Sequence, residues 1–219
     1  MRIHAVLLFA LGASLAMAQA PVVANGGILN GASFQKGQAI TPGSLISIFG
    51  TNLAATTAQA DSIPLSASLG GVTVQFVNGS TTVNAPMLYA QPDDPSKGIT
   101  SQLNVQVPWG IVPAGTSATV NVIVMHDGVT SQPASVEVAP FSPGVFSSGG
   151  RAIATSQDGK LAWPAGVIPG LDTHPVKPGD AIIIYATGLG AVDVPVADGQ
   201  NSLDQLRHTV TPPMVLVGG

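Results

Sequence analysis

The sequence predicts an all-β fold, a sandwich of antiparallel strands followed by a second, incomplete unit of the same kind. Three observations carry that expectation. Helical periodicity is missing after residue 20, and 18 Pro and 26 Gly recur too often for long helices. The apolar runs are short, rich in Val, Ile and Thr, and bounded by turn residues. One phrase occurs twice: Thr41-Pro42-Gly43-Ser44-Leu45-Ile46-Ser47-Ile48-Phe49-Gly50-Thr51-Asn52-Leu53 returns as Lys177-Pro178-Gly179-Asp180-Ala181-Ile182-Ile183-Ile184-Tyr185-Ala186-Thr187-Gly188-Leu189. A repeat of that length marks one small β unit used twice. About ninety residues of strand-like sequence follow the first copy, whereas the sequence stops at Gly219 after the second. The second unit is therefore expected to lack half of its strands.

The N-terminus is set aside before the fold is read. Arg2 supplies a short positive region, and Ala5 to Ala18 is an unbroken run of apolar and small residues. It ends in Ala16-Met17-Ala18, an A-x-A-like cleavage site before Gln19. Crossing a bilayer as a helix takes about 20 apolar residues, and this run is shorter. Residues 1–18 read as a helical secretory signal peptide, with an uncleaved anchor helix as the alternative. Signal cleavage would leave no membrane span, and the product is expected to be secreted or held at the cell envelope.

Composition narrows the class. Charged residues are 8% of the chain against a typical ~25%, and apolar residues are 45%. That balance argues against disorder. Without Arg2 the count is six Lys and Arg against eleven Asp and Glu, a net of −5 with His neutral. No basic cluster exists, so nucleic acid is not an expected partner. Cysteine is absent, so an exported fold must hold by core packing and sheet hydrogen bonds alone.

Each element follows from local pattern. Residues 19–39 read as a lead-in segment, with Val22-Val23 and Gly27-Ile28-Leu29 as strand pieces. Leu45 to Phe49 is a strand after the Pro42-Gly43 turn, and residues 54–68 are a loop. Val72 to Val77 is a strand closed by the tight-turn pair Asn78-Gly79. Pro86 to Ala90 continues the sheet, and Gln91 to Gly98 is a polar loop. Leu103, Val105 and Val107 face one way, Asn104 and Gln106 the other. Thr119 to Met125 runs through His126-Asp127-Gly128 and returns as Ala134 to Val138, with Asp-Gly favouring a type I′ turn. Seven or so strands between residues 40 and 140 is the size of an immunoglobulin-like sandwich. Residues 141–176 are a connector with a short hairpin, Ala152-Ile153-Ala154 against Lys160-Leu161-Ala162, turned by Asp158-Gly159. Residues 177–219 are the truncated second unit, with strands at Ala181 to Ala186 and Met214 to Val217.

Several of these phrases together resemble a known family. They are Asn30-Gly31-Ala32-Ser33-Phe34, the Pro42 to Leu53 phrase, Leu103-Asn104-Val105-Gln106-Val107-Pro108-Trp109, Pro143-Gly144-Val145-Phe146, Gln157-Asp158-Gly159, and Pro178 to Gly190. Across about residues 27–219 the chain is similar to the Solibacter-type C-terminal domain family of exported acidobacterial proteins. The resemblance implies tandem immunoglobulin-like units akin to IPT/TIG domains. It implies no activity and no functional residues. The family pattern continues past Gly219 with further strands, so the chain departs from it there.

Chemistry is sparse. His126, His174 and His208 are the histidines after the signal, and all three read as exposed loop residues. No G-x-S-x-G nucleophile elbow is present. No two His share a helix face and there is no thiolate, so a zinc site is not expected. Asp93-Asp94 and Asp193 with Asp198 lack calcium-loop spacing and read as solvated loops. Asn78-Gly79-Ser80 matches a glycosylation sequon but is already explained as a turn. Gly70-Gly71 and Gly149-Gly150 lack the following helix that a phosphate cradle needs. No metal, cofactor or catalytic residue is assigned.

Trp109, after a strand, and Trp163, before Pro164, are the remaining candidate ligand-binding residues, since an exposed indole can stack on a sugar or fill a partner's pocket. The competing reading puts Trp109 at the end of the sandwich core and Trp163 between the units. Tyr89 and Tyr185 read as strand residues of the core. The expected function is an exported, non-catalytic structural or interaction module. The alternative is an adhesin-like module binding carbohydrate or a cell surface. Expected partners are a protein or glycan at the cell surface, or a second copy through an unpaired 214–217 strand.

Overall fold

The structure, a computed structural model, describes residues 19–216. The signal helix expected at residues 1–18, and Val217 of the last expected strand, lie outside the described residues.

The described residues are strands joined by turns and loops, with almost no helix. Ten strands form the first part of the chain: β1 (Val22–Asn30), β2 (Leu45–Thr51), β3 (Ala58–Gln59), β4 (Val72–Asn78), β5 (Thr81–Asn84), β6 (Met87–Gln91), β7 (Ser101–Gln106), β8 (Ala118–His126), β9 (Val129–Thr130) and β10 (Ala134–Val138). One antiparallel sheet has the order β1-β2-β7-β6-β3. The other runs β10-β8-β4-β5, with β9 on the end of β8. Residues 22–30, read as lead-in pieces, are thus one continuous edge strand, with a register shift between Val23 and Ile28.

Alternation builds the core. Val72, Val74 and Phe76 of β4, Val120, Val122 and Val124 of β8, and Leu103 and Val105 of β7 are all buried, and their neighbours face out. Side chains from both sheets join in one hydrophobic cluster with Ile46, Ile48 and Met87. Fully burying one such side chain is worth about 1.5–3 kcal/mol. The hairpin turn after β8 has φ of 47° at Asp127 and 80° at Gly128, the two positive values a type I′ turn requires.

Beyond Pro140 the strands shorten: β11 (Gly144–Val145), β12 (Ser147–Ser148), β13 (Arg151–Ala152), β14 (Ala154–Ser156), β15 (Ile182–Ile184) and β16 (Ala186–Thr187). β15 pairs β14, and β16 pairs β11, all antiparallel. The β12–β13 hairpin turns at Gly149-Gly150 and interrupts the neighbouring strand. The strand expected at Ala181 to Ala186 is therefore present but divided at Tyr185. The turn expected at Asp158-Gly159 is present, but its first arm is Ala154 to Ser156 rather than Ala152 to Ala154: Ser156 N–H donates to Lys160 O at 2.9 Å and Ala162 N–H to Ala154 O at 2.9 Å, while Ala152 pairs with Ser147.

The repeat in the sequence is a repeat in register. In the first copy Val22 sits opposite Thr51, Val23 opposite Gly50, Ile28 opposite Ile48, Leu29 opposite Ser47 and Asn30 opposite Ile46. In the second, Gly144 sits opposite Thr187, Val145 opposite Ala186, Ala154 opposite Ile184, Thr155 opposite Ile183 and Ser156 opposite Ile182. The β12–β13 hairpin occupies the place of the β1 register shift.

One expected element is corrected. Residues 214–216 form no strand, and Met214, Val215 and Leu216 are 85%, 61% and 75% exposed. Their counterpart β4 is held between β5 and β8; among the described residues nothing plays those parts for 214–216. Pro212-Pro213 just before them also lack the N–H groups a ladder needs. Self-association through a 214–217 strand loses its structural basis.

Candidate functional site

The two tryptophans lie apart, and neither is an open platform. Trp163 is 6% exposed, and its indole N–H donates to Ala152 O at 2.6 Å. This corrects the expectation of a stacking surface there: the ring is packed inside the second part of the chain. Trp109 is half-buried. A Cβ built on Gly43 would come within 2.1 Å of its ring, so the indole lies flat against the Pro42-Gly43 turn of the first repeat. Its backbone N–H donates to Asp198 Oδ1 at 2.8 Å. Trp109 thus closes one end of the core and meets the loop after the second repeat.

That meeting is a seam between the two parts. Gly199 N–H donates to Gln106 Oε1 at 2.7 Å, and Leu65 N–H donates to Gly199 O at 2.9 Å. Leu45 N–H donates to Thr187 Oγ1 at 2.8 Å. Asn30 Nδ2 donates to Ser142 O at 2.8 Å. A Cβ at Gly188 would meet Ser142 O at 2.0 Å, so only glycine fits where these backbones touch.

The histidines divide. His208 is exposed and its Nδ1 lies 3.2 Å from Asp193 Oδ2. His174 is partly buried beside Ser156, Asp158 and Asp180 around a polar depression. The Ser156 hydroxyl donates to Asp158 Oδ1 at 2.6 Å, so its proton does not go to an imidazole. His126 corrects the exposed-loop reading, being only 8% exposed. The turn starts one residue later, at Asp127, so His126 is the last strand residue on the Val120-Val122-Val124 face. That alternation was the signal in the sequence. Its Nδ1 lies 3.0 Å from Asn52 O, and its Nε2 lies 3.6 Å from Asp127 Oδ2.

The acidic residues are turn and cap groups. Asp93 Oδ1 accepts from Asn52 N–H at 2.8 Å. Asp94 caps a short turn at Pro95–Lys97, and its hydrogen bond from Lys97, then that from Ser96, holds its carboxyl below the usual range. Asp193 accepts from the backbone N–H of His208, which lowers its pKa most, and from the His208 ring. Among the described residues no group of three or more His, Cys, Asp or Glu is placed to hold a metal ion. Among the same residues no helix is long and apolar enough to cross a membrane.

An apolar groove belongs to the second repeat. Phe141, Pro143, Val145, Ile184, Ala186 and Leu189, with residues 211–216, line a groove of about 480 Å³. Ile182, Ile183 and Tyr185 are 37%, 59% and 48% exposed. The counterparts of Ile182 and Ile183, Ile46 and Ser47, are buried at 1% and 2%, and that of Tyr185, Phe49, is half-buried. The same backbone pattern is closed in the first copy and open in the second. A sequence scan for catalytic types misses this, because the feature is made of aliphatic side chains and backbone groups. No family model matches the chain, and no curated protein matches it.

Proposed function

We propose that this chain is an exported, non-catalytic structural or interaction module. In this reading it is an immunoglobulin-like β-sandwich followed by a partial second unit of the same kind, as in the Solibacter-type domains it resembles. The observation that carries the reading is the repeat in register: five cross-strand pairs recur between the copies, so the second part is a copied β unit rather than an insertion built around a reaction centre. The buried strand alternation of the first part and the structural use of Asp93, Asp94, Asp158 and Asp198 also favour it. Export rests on the Arg2 and Ala5–Ala18 pattern with its Ala16-Met17-Ala18 site. Contact with a protein or glycan at the cell surface is the role such a module would serve.

The test is a broad hydrolase and transferase substrate panel on the purified chain from Gln19. No turnover is expected. Robust turnover abolished by a single substitution, at His174 or Asp158 above all, would defeat the proposal.

A further inference from the structure

We propose that the outer face of the β1-β2-β7-β6-β3 sheet, where Phe34 borders it, binds a neutral glycan chain. The proposal deepens the interaction-module reading and rests on it.

Register puts the site together. Ile48, Leu103 and Ala90 stand opposite one another across β2, β7 and β6, and all three are fully buried. The residues beside them along each strand therefore turn away from the core. One such row runs Leu29, Ser47, Asn104, Tyr89 and Gln59, across the whole sheet. The next runs Phe49, Gln102 and Gln91. Tyr89, expected in the core, thus stands on the outer face and is half-buried. A further row, Leu45 with Gln106, is taken up by the seam through Thr187 and Gly199. Beside the open rows Gln59, Ala60, Leu65, Leu88, Tyr89 and Asn104 line a cleft of about 440 Å³.

The polar groups of the open rows are held from one side and free on the other. Asn104 Oδ1 accepts from Ser47 Oγ at 3.0 Å and from Gln102 Nε2 at 2.8 Å. The Tyr89 hydroxyl donates to Gln91 Oε1 at 2.7 Å. These bonds orient three amides. Asn104 Nδ2 and Gln91 Nε2 remain as donors and Gln102 Oε1 as an acceptor, none with a partner among the described residues. Donors and acceptors side by side suit hydroxyl groups, each of which does both. β2, β6 and β7 carry no charged residue, so a charged chain would be desolvated there without a counter-ion.

Phe34 supplies the stacking surface. Its backbone has φ of 52°, a conformation that a bulky side chain rarely holds and that gathers at ligand contacts. Glycine would hold the same turn without strain. Burial does not account for the ring, which is 48% exposed. It lies 6.3 Å from the ring of Phe49, at the end of the Gln102 row. An aromatic face beside oriented amides matches a sugar, whose apolar face stacks while its hydroxyls bond. From β2 to β6 the rows span about 10 Å, room for a short run of sugar rings. The stacking role expected of Trp163, which is packed inside, passes to Phe34.

The experiment titrates the whole chain from Gln19 with neutral hexasaccharides of β-1,4-glucose, α-1,4-glucose, β-1,4-mannose and β-1,4-xylose, and with hexagalacturonate as the acidic control, by calorimetry. Saturable binding of at least one neutral chain is expected, and none of the acidic one. Phe34→Gly should weaken that binding roughly tenfold. Its urea midpoint should stay near that of the parent, because the relieved backbone offsets the lost contact with Phe49. Gln91→Ala, which removes only a half-exposed amide, should weaken binding several-fold, and it gives the answer if Phe34→Gly does not fold. Absence of binding to every neutral chain overturns the proposal, as does equal binding of hexagalacturonate. Undiminished binding by a destabilised Phe34→Gly makes the ring a structural cover and overturns it too. Loss of a dimer in Phe34→Gly, measured by sedimentation, gives the face to a second copy instead. Turnover in the substrate panel with glycan binding intact would defeat the non-catalytic reading and leave this site standing. A chain that turns over nothing and binds no hexasaccharide would do the reverse.

Discussion

At the residue scale the two glycines of the repeat turns show how one backbone serves two environments. Gly43 has φ of 78° and Gly179 has φ of 97°, so both occupy the conformation that L-residues avoid at about 1–2 kcal/mol. Only Gly43 has a neighbour, the Trp109 ring, while a Cβ at Gly179 meets nothing within 4 Å. Gly179→Ala should therefore cost about the backbone strain alone. Gly43→Ala should cost that and the displaced indole as well, roughly 3 kcal/mol or more in all. Urea unfolding of the two variants checks the difference, and near-UV dichroism should change for Gly43→Ala and not for Gly179→Ala. Equal losses would mean that Trp109 does not seal the turn. The repeat phrase made both glycines visible in the sequence. It could not show the tryptophan, which comes from 66 positions away in the chain and reaches Gly43 only once β2 and β7 are paired. His126 was legible in principle, because it continues an alternating strand by one step. It was misread because the turn was counted one residue early.

At the element scale, strands with strong alternation were legible and elements fixed by partners were not. β4, β7, β8 and β10 lie where apolar residues, mostly Val, alternate with others, since their pattern and their burial are the same fact. β3 has two residues and exists only through β6. Residues 214–216 have strand-like composition but, among the described residues, no neighbour to pair with, and composition alone does not make a ladder.

The long loop after the second repeat depends on a different device. Asp193 N–H donates to His208 O at 2.9 Å, and the Asp193 carboxylate accepts from His208 N–H at 3.0 Å. The bond from His208 N–H to the carboxylate, then that from the His208 ring, holds the Asp193 pKa below its usual value. A group whose folded pKa is lowered contributes stability above its unfolded pKa and loses it as the pH falls through the folded value. The loop closure should thus be intact at neutral pH and weaken below about pH 4. Asp193→Asn should remove that acid-side loss from the hydrogen exchange of residues 193–209. An unchanged pH profile in the variant would show that the carboxylate does not hold the loop.

At the scale of the whole molecule the question is whether two units or one fold. The first part has its own core, in which Ile46, Ile48, Phe76, Leu103 and Val122 are at most 1% exposed. The second part has little, with Trp163 and Ala154 buried but Ile182, Ile183 and Tyr185 open. The seam joins them by hydrogen bonds from Asn30, Leu45, Leu65, Trp109 and Gly199, at 2.7–2.9 Å. Each such bond is worth about 0.5–1.5 kcal/mol net, too little to fold the first part but enough to stabilise it. A chain of residues 19–140 should therefore fold cooperatively and melt roughly 10 °C below the full chain. Residues 141–219 alone should not fold, since they bury too little apolar surface to offset their ordering entropy. Calorimetry of the two pieces and the full chain decides this. A single transition lost on removing residues 141–219 would make the seam part of one folding unit.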